Sequence, residues 1–332
     1  MGWTGREFFT MKDIIKFVGA AINPKALQPH MHNFLIDGGR LSATNGNITI
    51  SALFPLDITC APHAESFKRA IAACEGSITM TLERSRLVVR SGKFRSVVPC
   101  ADVSTWKAPD ISGEIVAIES DLSQALEKLL PFISKDESRP WSNGILLKGN
   151  SAFATNSITL VEHHLSNAFP VVANLPIEAV REMVRLKVQP ESVQAENHQL
   201  TFHLPGAGRI TCKTLASQWP ETQGILAKTE NYKGNFISGK ELESVLEDVS
   251  TLHRFDSDNG LVYFNNKGIW IGSFDEATTE IENENITEVA AFKSAQLIAM
   301  KGIAEKVGFE AYPEPVPFFA KNLRGVLSCF RV

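Results

Sequence analysis

The stretch ATNGNITI, residues 43–50, returns with small changes as ATNSITLV, residues 154–161. Three identical letters decide nothing in a chain of 332 residues; what surrounds them does. Ahead of the first copy lies MKDIIKFV from Met11, and the same distance ahead of the second lies LSQALEKLL from Leu122, so segment and tripeptide recur together at a spacing of 111 residues. A third segment of the kind, LESVLEDV, begins at Leu242. Each sets apolar residues at i, i+3, i+4 and i+7: Met11, Ile14, Ile15, Val18; Leu122, Ala125, Leu126, Leu129; Leu242, Val245, Leu246, Val249. That spacing predicts one buried stripe on an amphipathic helix, three times over.

Behind each helix come alternating runs broken by turn residues: NFLIDGGRLSATNGNITISALF, GILLKGNSAFATNSITLVEHHL and GLVYFNNKGIWIGSFD. Alternation interrupted by GG, NG, GN and NN predicts β-hairpins. A second helical segment follows in every unit, from His63, Pro176 and Phe292, and then further strands. The expected fold is α+β, with three repeated domains of roughly 110 residues, each holding two helices and antiparallel sheets. Proline-broken or polar stretches at 106–114 and 228–235 set the seams, giving domains at 1–113, 114–232 and 233–332.

Composition excludes several function classes. No apolar run approaches the roughly 20 residues of a membrane helix, and MGWTGREFFTMKD lacks a signal-peptide core, so a cytoplasmic setting is expected. The cysteines, Cys60, Cys74, Cys100, Cys212 and Cys329, are odd in number and contain no CxxC pair, which predicts reduced thiols. His30, His32, His163 and His164 have no carboxylate or cysteine at ligand spacing, so neither metal nor cofactor is expected. No GxSxG, P-loop or HExxH motif is present, and a non-enzymatic role follows.

The formal net charge of −4 conceals a gradient of +4, −3 and −5 across the three domains. The first domain's late strands carry Arg84, Arg86, Arg90, Lys93 and Arg95, and the third carries Asp275, Glu276, Glu280, Glu282, Glu284 and Glu288. Such patches either face solvent or meet head to tail in a second copy. Further cations sit on the helical segments, largely off the apolar stripes: Lys12, Lys16, Lys68, Arg69, Lys128, Arg181, Arg185, Lys240, Lys293 and Lys301. They form either routine charged faces or one positive surface fit for a polyanion.

Taken in order, several segments resemble the bacterial DNA polymerase III β subunit family, the sliding clamps. DESRPWSNGILL (136–147) is similar to that family's second-domain opening, and ATNSITL (154–160) stands where the family commonly has Ala-Thr-Asp-Gly-His-Arg-Leu. KTLASQWPETQGIL (213–226) is similar to its strand ending in an aromatic-Pro-acidic turn. SGKFRSVVPCADVSTWKAPD (91–110) resembles the end of its first domain, and LSCFRV (327–332) replaces its usual Met-Pro-hydrophobic-Arg-Leu terminus. The resemblance spans nearly the whole chain.

It implies two chains closed head to tail as a homodimeric ring around duplex DNA, with helices lining the hole. Lys93 and Arg95 would meet Glu276, Glu280, Glu282 and Glu284 of a second copy. Lys25, Arg139 and Trp141 would join the helix-borne cations near DNA. It also implies a hydrophobic groove between the second and third domains for linear peptides of a DNA polymerase and a clamp loader. Carried over, that groove comprises Thr155, Ser157, Ile158, Thr159, Leu160, Pro220, Gly224, Ile225 and Val316, with the terminal Val326, Leu327, Ser328, Cys329, Phe330, Arg331 and Val332. Because Ser157, Ile158 and Thr159 replace Gly-His-Arg, and Ser328 and Cys329 replace Met-Pro, a divergent clamp with its own peptide preference is expected, as a phage might encode. The alternative is a clamp-fold peptide-binding or regulatory module that does not encircle DNA.

Overall fold

The computed structural model describes residues 10–255, 260–273, 277–286 and 289–331, the Gln223 side chain excepted. Seven α-helices occur among them: α1 (Met11–Val18), α2 (Ala64–Ala72), α3 (Leu122–Leu129), α4 (Ile177–Leu186), α5 (Gln223–Glu230), α6 (Gly239–Leu252) and α7 (Ser294–Met300). The three predicted stripes are there. Leu122, Ala125, Leu126 and Leu129 are fully buried, as are Val245 and Val249, while Ile14, Ile15 and Val18 are buried on α1. Thr10 closes the start of α1 with a reciprocal capping box: Asp13 N–H donates to its hydroxyl and its own N–H donates to Asp13 Oδ2.

Two features depart from expectation. Residues 213–226, expected as a strand running into a turn, hold a strand that ends at Lys213 and then the start of α5, so the seam at 228–235 opens inside a helix. The last helical segment, expected from Phe292, begins at Ser294 and ends at Met300. Lys293 is the N-cap of α7 and Lys301 its extended C-cap, so both flank the helix; Gly302, at φ 73°, then turns the chain away.

The chain divides into two compact units, Met1–Ser123 with Glu178–Leu215, and Gln124–Ile177 with Ala216–Val332. In the first, a seven-stranded antiparallel sheet runs Leu35–Asp37, Arg40–Thr44, Ile48–Leu53, Gly208–Lys213, Gln199–Leu204, Ser192–Glu196, Ile115–Ala117. A four-stranded sheet runs Ala61–Pro62, Phe94–Ala101, Arg86–Ser91, Thr79–Glu83, and α1 packs on α2 and on strands Arg40–Thr44 and Ile48–Leu53. In the second, an eight-stranded sheet runs Ala173–Pro176, Gly144–Lys148, Ser151–Thr155, Thr159–His164, Leu323–Leu327, Val316–Ala320, Lys306–Val307, Ile237–Ser238. Its four-stranded sheet runs Ala277–Glu282, Gly268–Gly272, Leu261–Asn265, Ala290–Lys293.

The strands of the central repeat are thus shared out. Ile50 pairs with Ile210 in one large sheet, and Leu160 pairs with Val326 in the other, so ladder hydrogen bonds run on from one repeat into the next. Continuous ladders leave fewer raw sheet edges, which is the physical gain of that arrangement.

The two ATN copies build the same turn. The threonine hydroxyl donates to a carbonyl four residues on, Thr44 to Ile48 at 2.8 Å and Thr155 to Thr159 at 2.7 Å. The same hydroxyl accepts from the amide two residues on, Gly46 or Ser157, at 3.2 Å in both. The asparagine Oδ1 accepts from Asn47 and Ile48 in one copy, and from Ile158 and Thr159 in the other. This is Asx-turn chemistry, and it explains why these residue types return together.

Candidate functional site

In the second unit a groove of about 650 Å³ opens beside the second ATN turn. Its floor is set by sheet register: Thr159 stands opposite Leu327 and Leu160 opposite Val326, while the Ser328 amide donates to the Ile158 carbonyl at 2.8 Å. Beneath it Phe153, Leu160, Leu226 and Val326 form a buried cluster against which Leu146 and Trp219 pack. One wall is α5. Its periodicity turns Leu226 into that cluster and Ile225, Lys228 and Thr229 toward the groove, with Tyr232 just beyond its end. The opposite wall is Ala311, Glu314, Pro315 and Pro317. Ile225 is 45% exposed, an apolar side chain open to the cavity.

Two polar devices hold these walls. Arg324, opposite Glu162 in register, donates through Nε to Glu162 Oε2 at 2.6 Å, and its Nη1 bonds Glu230 at the end of α5. The pairing fixes α5 to the sheet through a carboxylate that is only 4% exposed. The second device fixes the turn: Gln296 Oε1, on α7, accepts from Asn156 Nδ2 at 2.5 Å and from the Thr159 hydroxyl at 3.1 Å. Sequence reading missed both. The one available clue was the charge at position 162, directly after the apolar Leu160 and Val161.

Of the expected groove residues, Thr155, Ser157, Ile158, Thr159, Leu160, Pro220, Ile225, Val326 and Ser328 line the cavity. Gly224 lies exposed on α5 outside the lining, and Val316 and Leu327 are wholly buried in the sheet. The terminal segment leaves the groove. Cys329 Sγ donates to the Pro313 carbonyl at 3.1 Å, and Phe330 is drawn to Tyr263, Trp270 and Ala291, its amide donating to Ala291 at 2.8 Å. Arg331 is exposed, and Val332 lies outside the described residues. Arg139 and Trp141, expected near DNA, belong to the groove lining; the Trp141 ring meets Trp219 edge-on at 5.3 Å.

In the first unit, Lys12, Lys16, Lys68 and Arg185 gather around a cleft of about 570 Å³ with Glu182, over Ile15, Gly19, Ala20, Ile71 and Ala72. Much of that charge is already engaged. Lys12 Nζ donates to the Ala72 and Cys74 carbonyls at 3.3 Å, closing the end of α2; Lys68 pairs with Glu65 at 2.9 Å and Arg185 with Glu182 at 2.8 Å. Lys16 is exposed and forms no ion pair among the described residues. Lys25, Arg69 and Arg181 are exposed outside this cleft.

In the second unit, Lys128 Nζ donates to the Lys321 carbonyl at 3.4 Å, Lys240 is exposed, and Lys293 lies 5.6 Å from the Phe330 ring centre. Lys301 pairs with Glu247 at 3.4 Å. Glu280 and Glu282 are exposed on edge strand Ala277–Glu282 and Glu284 follows it, while Glu276 lies outside the described residues. Lys93 is exposed in the hairpin turn before Phe94, and Arg95, also exposed, lies 3.9 Å from Glu83. Among the described residues no group of His, Cys, Asp and Glu could hold a metal ion, and no helix is long and apolar enough to cross a membrane.

No protein-family sequence model matches the chain, and no curated protein sequence does either. Solved structures match it over nearly its whole length. The β sliding clamp of Caulobacter crescentus superposes with a TM-score of 0.79 at 16% identity, and that of Bartonella birtlesii, bound to griselimycin, with 0.80 at 16%. The DNA polymerase β subunit of Streptococcus pyogenes gives 0.76 at 18%. Each match covers 97% of both chains, so the fold is that of the bacterial β sliding clamps, three repeated α+β domains in one chain.

Proposed function

We propose that this chain is a DNA polymerase processivity factor, a sliding clamp that encircles duplex DNA without reading its sequence and tethers replication proteins through the groove at Ser157–Leu160. The observation that carries the reading is the likeness to β clamps over 97% of both chains, which leaves no repeat unaccounted for. A closed ring holds its polymerase by topology and needs few, weak, sequence-blind phosphate contacts, since tight ones would stop it sliding. That is compatible with a net charge of −4 and with cations that are exposed but partly engaged. Lys16, Lys25, Arg69, Arg181 and Lys240 are the candidates for DNA contact, with Lys12, Lys68, Lys128, Arg185, Lys293 and Lys301 adding to the field, and a cytoplasmic setting follows from the role.

Two copies would close head to tail. Among the described residues, strands Thr79–Glu83 and Ala277–Glu282 each form the edge of a four-stranded sheet. The first lies in a sheet bearing Arg84, Arg86, Lys93 and Arg95, the second bears Glu280 and Glu282, and edge-to-edge pairing satisfies both ladders while opposite charges set the register. The groove suits an extended apolar segment of a polymerase or loader, anchored by a few side chains in small pockets. Ile158 and Thr159 replace charged residues there, which favours a more apolar peptide than clamps with His-Arg at that turn accept.

The test is retention on DNA. Retention on nicked circles, lost on linearisation, together with a solution mass near twice 36.5 kDa, is the expected result. A monomer that never remains on circles overturns the ring. One observation favours the alternative, a peptide-binding module that does not encircle DNA: Lys12, Lys68, Arg185 and Lys301 are already engaged by helix carbonyls or carboxylates. Peptide binding without retention would select it.

A further inference from the structure

The strand pleat sorts the seven-stranded sheet into two faces. Along Arg40–Thr44, Leu41 and Ala43 are buried and Arg40 and Ser42 point the other way. Along Gly208–Lys213, a Cβ on Gly208 would lie 3.2 Å from the Phe17 ring of α1, so Gly208, Ile210 and Cys212 face the helix and Arg209 faces away. Register then places Ser51 opposite Arg209 and Arg209 opposite His203, on the face without α1.

Arg40 reaches across strand Ile48–Leu53 to join that row. Its Nη2 donates to Ser51 Oγ at 3.3 Å and to the Ala207 carbonyl at 2.9 Å, which lays its guanidinium beside Arg209. Its Nε is buried and has no acceptor among the described residues. Neither arginine forms an ion pair among those residues; Asp37, opposite Arg40 in the hairpin, accepts the Thr59 hydroxyl instead.

The electrostatics agree with the geometry. Burial, and then the charge of Arg209, pulls Arg40 down to about 10, and His203 is lowered by burial and then by both arginines. His203 is therefore neutral near pH 7, and it bonds Gln194 Oε1 through Nε2 at 2.7 Å. Two guanidinium ions held together over a serine hydroxyl, with no ion-paired carboxylate among the described residues, lack one thing. A doubly charged oxyanion supplies it, because planar arginine forks match its oxygens.

We infer that this face of the sheet is a binding site for a phosphate-type oxyanion, held by Arg40 and Arg209 above Ser51. The site shares no residue with the groove or the basic cleft and does not depend on the clamp reading.

Titration calorimetry of the full chain with inorganic phosphate, at constant ionic strength made up with chloride, tests it. The expected result is saturable binding that weakens by about tenfold or more in Arg209→Gln, a half-buried position whose replacement keeps the length and polarity of the side chain's stem, with urea unfolding confirming that the fold is kept. Arg40→Lys, which keeps the charge and loses the fork, should weaken it as well; if that variant unfolds, Arg209→Gln alone decides. Absence of saturable phosphate binding, or undiminished binding by Arg209→Gln, overturns the site. Adenosine monophosphate as a second titrant separates sources: tighter binding than phosphate assigns the anion to a nucleotide, and equal or weaker binding assigns it to free phosphate.

Discussion

Replacing Ser157 by glycine should stabilise the protein, although Ser157 lines the groove. In the first ATN turn the residue two after threonine is Gly46, at φ 90°, and in the second it is Ser157, at φ 73°. A side chain in that left-handed region costs about 1–2 kcal/mol, whereas glycine enters it freely. Glycine gives back about 0.4–1 kcal/mol through the added entropy of the unfolded chain. The Ser157 hydroxyl makes no hydrogen bond among the described residues, so little else is lost. The net expectation is a gain of about 0.5–1 kcal/mol, a rise in melting temperature of roughly 1–4 °C for a unit of this size. Urea unfolding followed by tryptophan fluorescence, which reports on nearby Trp141 and Trp219, gives the same quantity as a shift in midpoint without change in slope. The reciprocal change, Gly46→Ser, should destabilise, because it adds the same strain and sets a Cβ 2.8 Å from Met31 Cε. A neutral or destabilising Ser157→Gly would refute the view that the two turns are one design with a strained second copy.

Further outcomes are as concrete. Glu162→Ala should cost about 2 kcal/mol in urea unfolding, since it leaves the half-buried Arg324 with only the exposed Glu230 and takes the acceptor from the Ser151 hydroxyl. Gln296→Leu should speed hydrogen exchange at the Ile158 and Thr159 amides by about tenfold, while Gln296→Glu, still an acceptor, should not. Reversing Lys93 and Arg95 to Glu should weaken self-association in sedimentation, and reversing Glu280 and Glu282 to Lys in the other copy should restore it; a dimer indifferent to both places the contact elsewhere. Burial pushes the Cys212 thiol from 9.0 up to about 12, so iodoacetamide at pH 8 should spare it while the half-exposed Cys329 is alkylated, as peptide mass mapping will report. The same shift contributes stability that is whole below pH 9 and is lost as pH climbs toward 12.

Elements with strong local periodicity were legible. The stripes on α1, α3 and α6 needed only spacing, because burying one face is nearly all that such a helix does. Helix α5 was not: its face is two-sided, with Leu226 turned into the core and Ile225 toward the groove, so no single stripe announces it. The groove's first wall was readable from residues 155–160 through the family resemblance. Its opposite wall, Ala311 to Pro317, and the brackets at Gln296 and Arg324 join residues 140 and 162 positions apart, and no local pattern records such pairs.

What the sequence determined by itself is the repeat. Ala-Thr-Asn carries its own turn, because the threonine and asparagine side chains bond backbone within four residues, and the helices carry their own stripes. Only the tertiary structure decided what surrounds each copy. Both turns make the same local bonds, but the second meets Gln296 of α7 and a cavity beside α5, and Phe330 leaves that cavity for an aromatic cluster in the neighbouring sheet. Those outcomes depend on which distant surfaces pack against the turn, a matter of long-range burial and register that short-range chemistry does not fix.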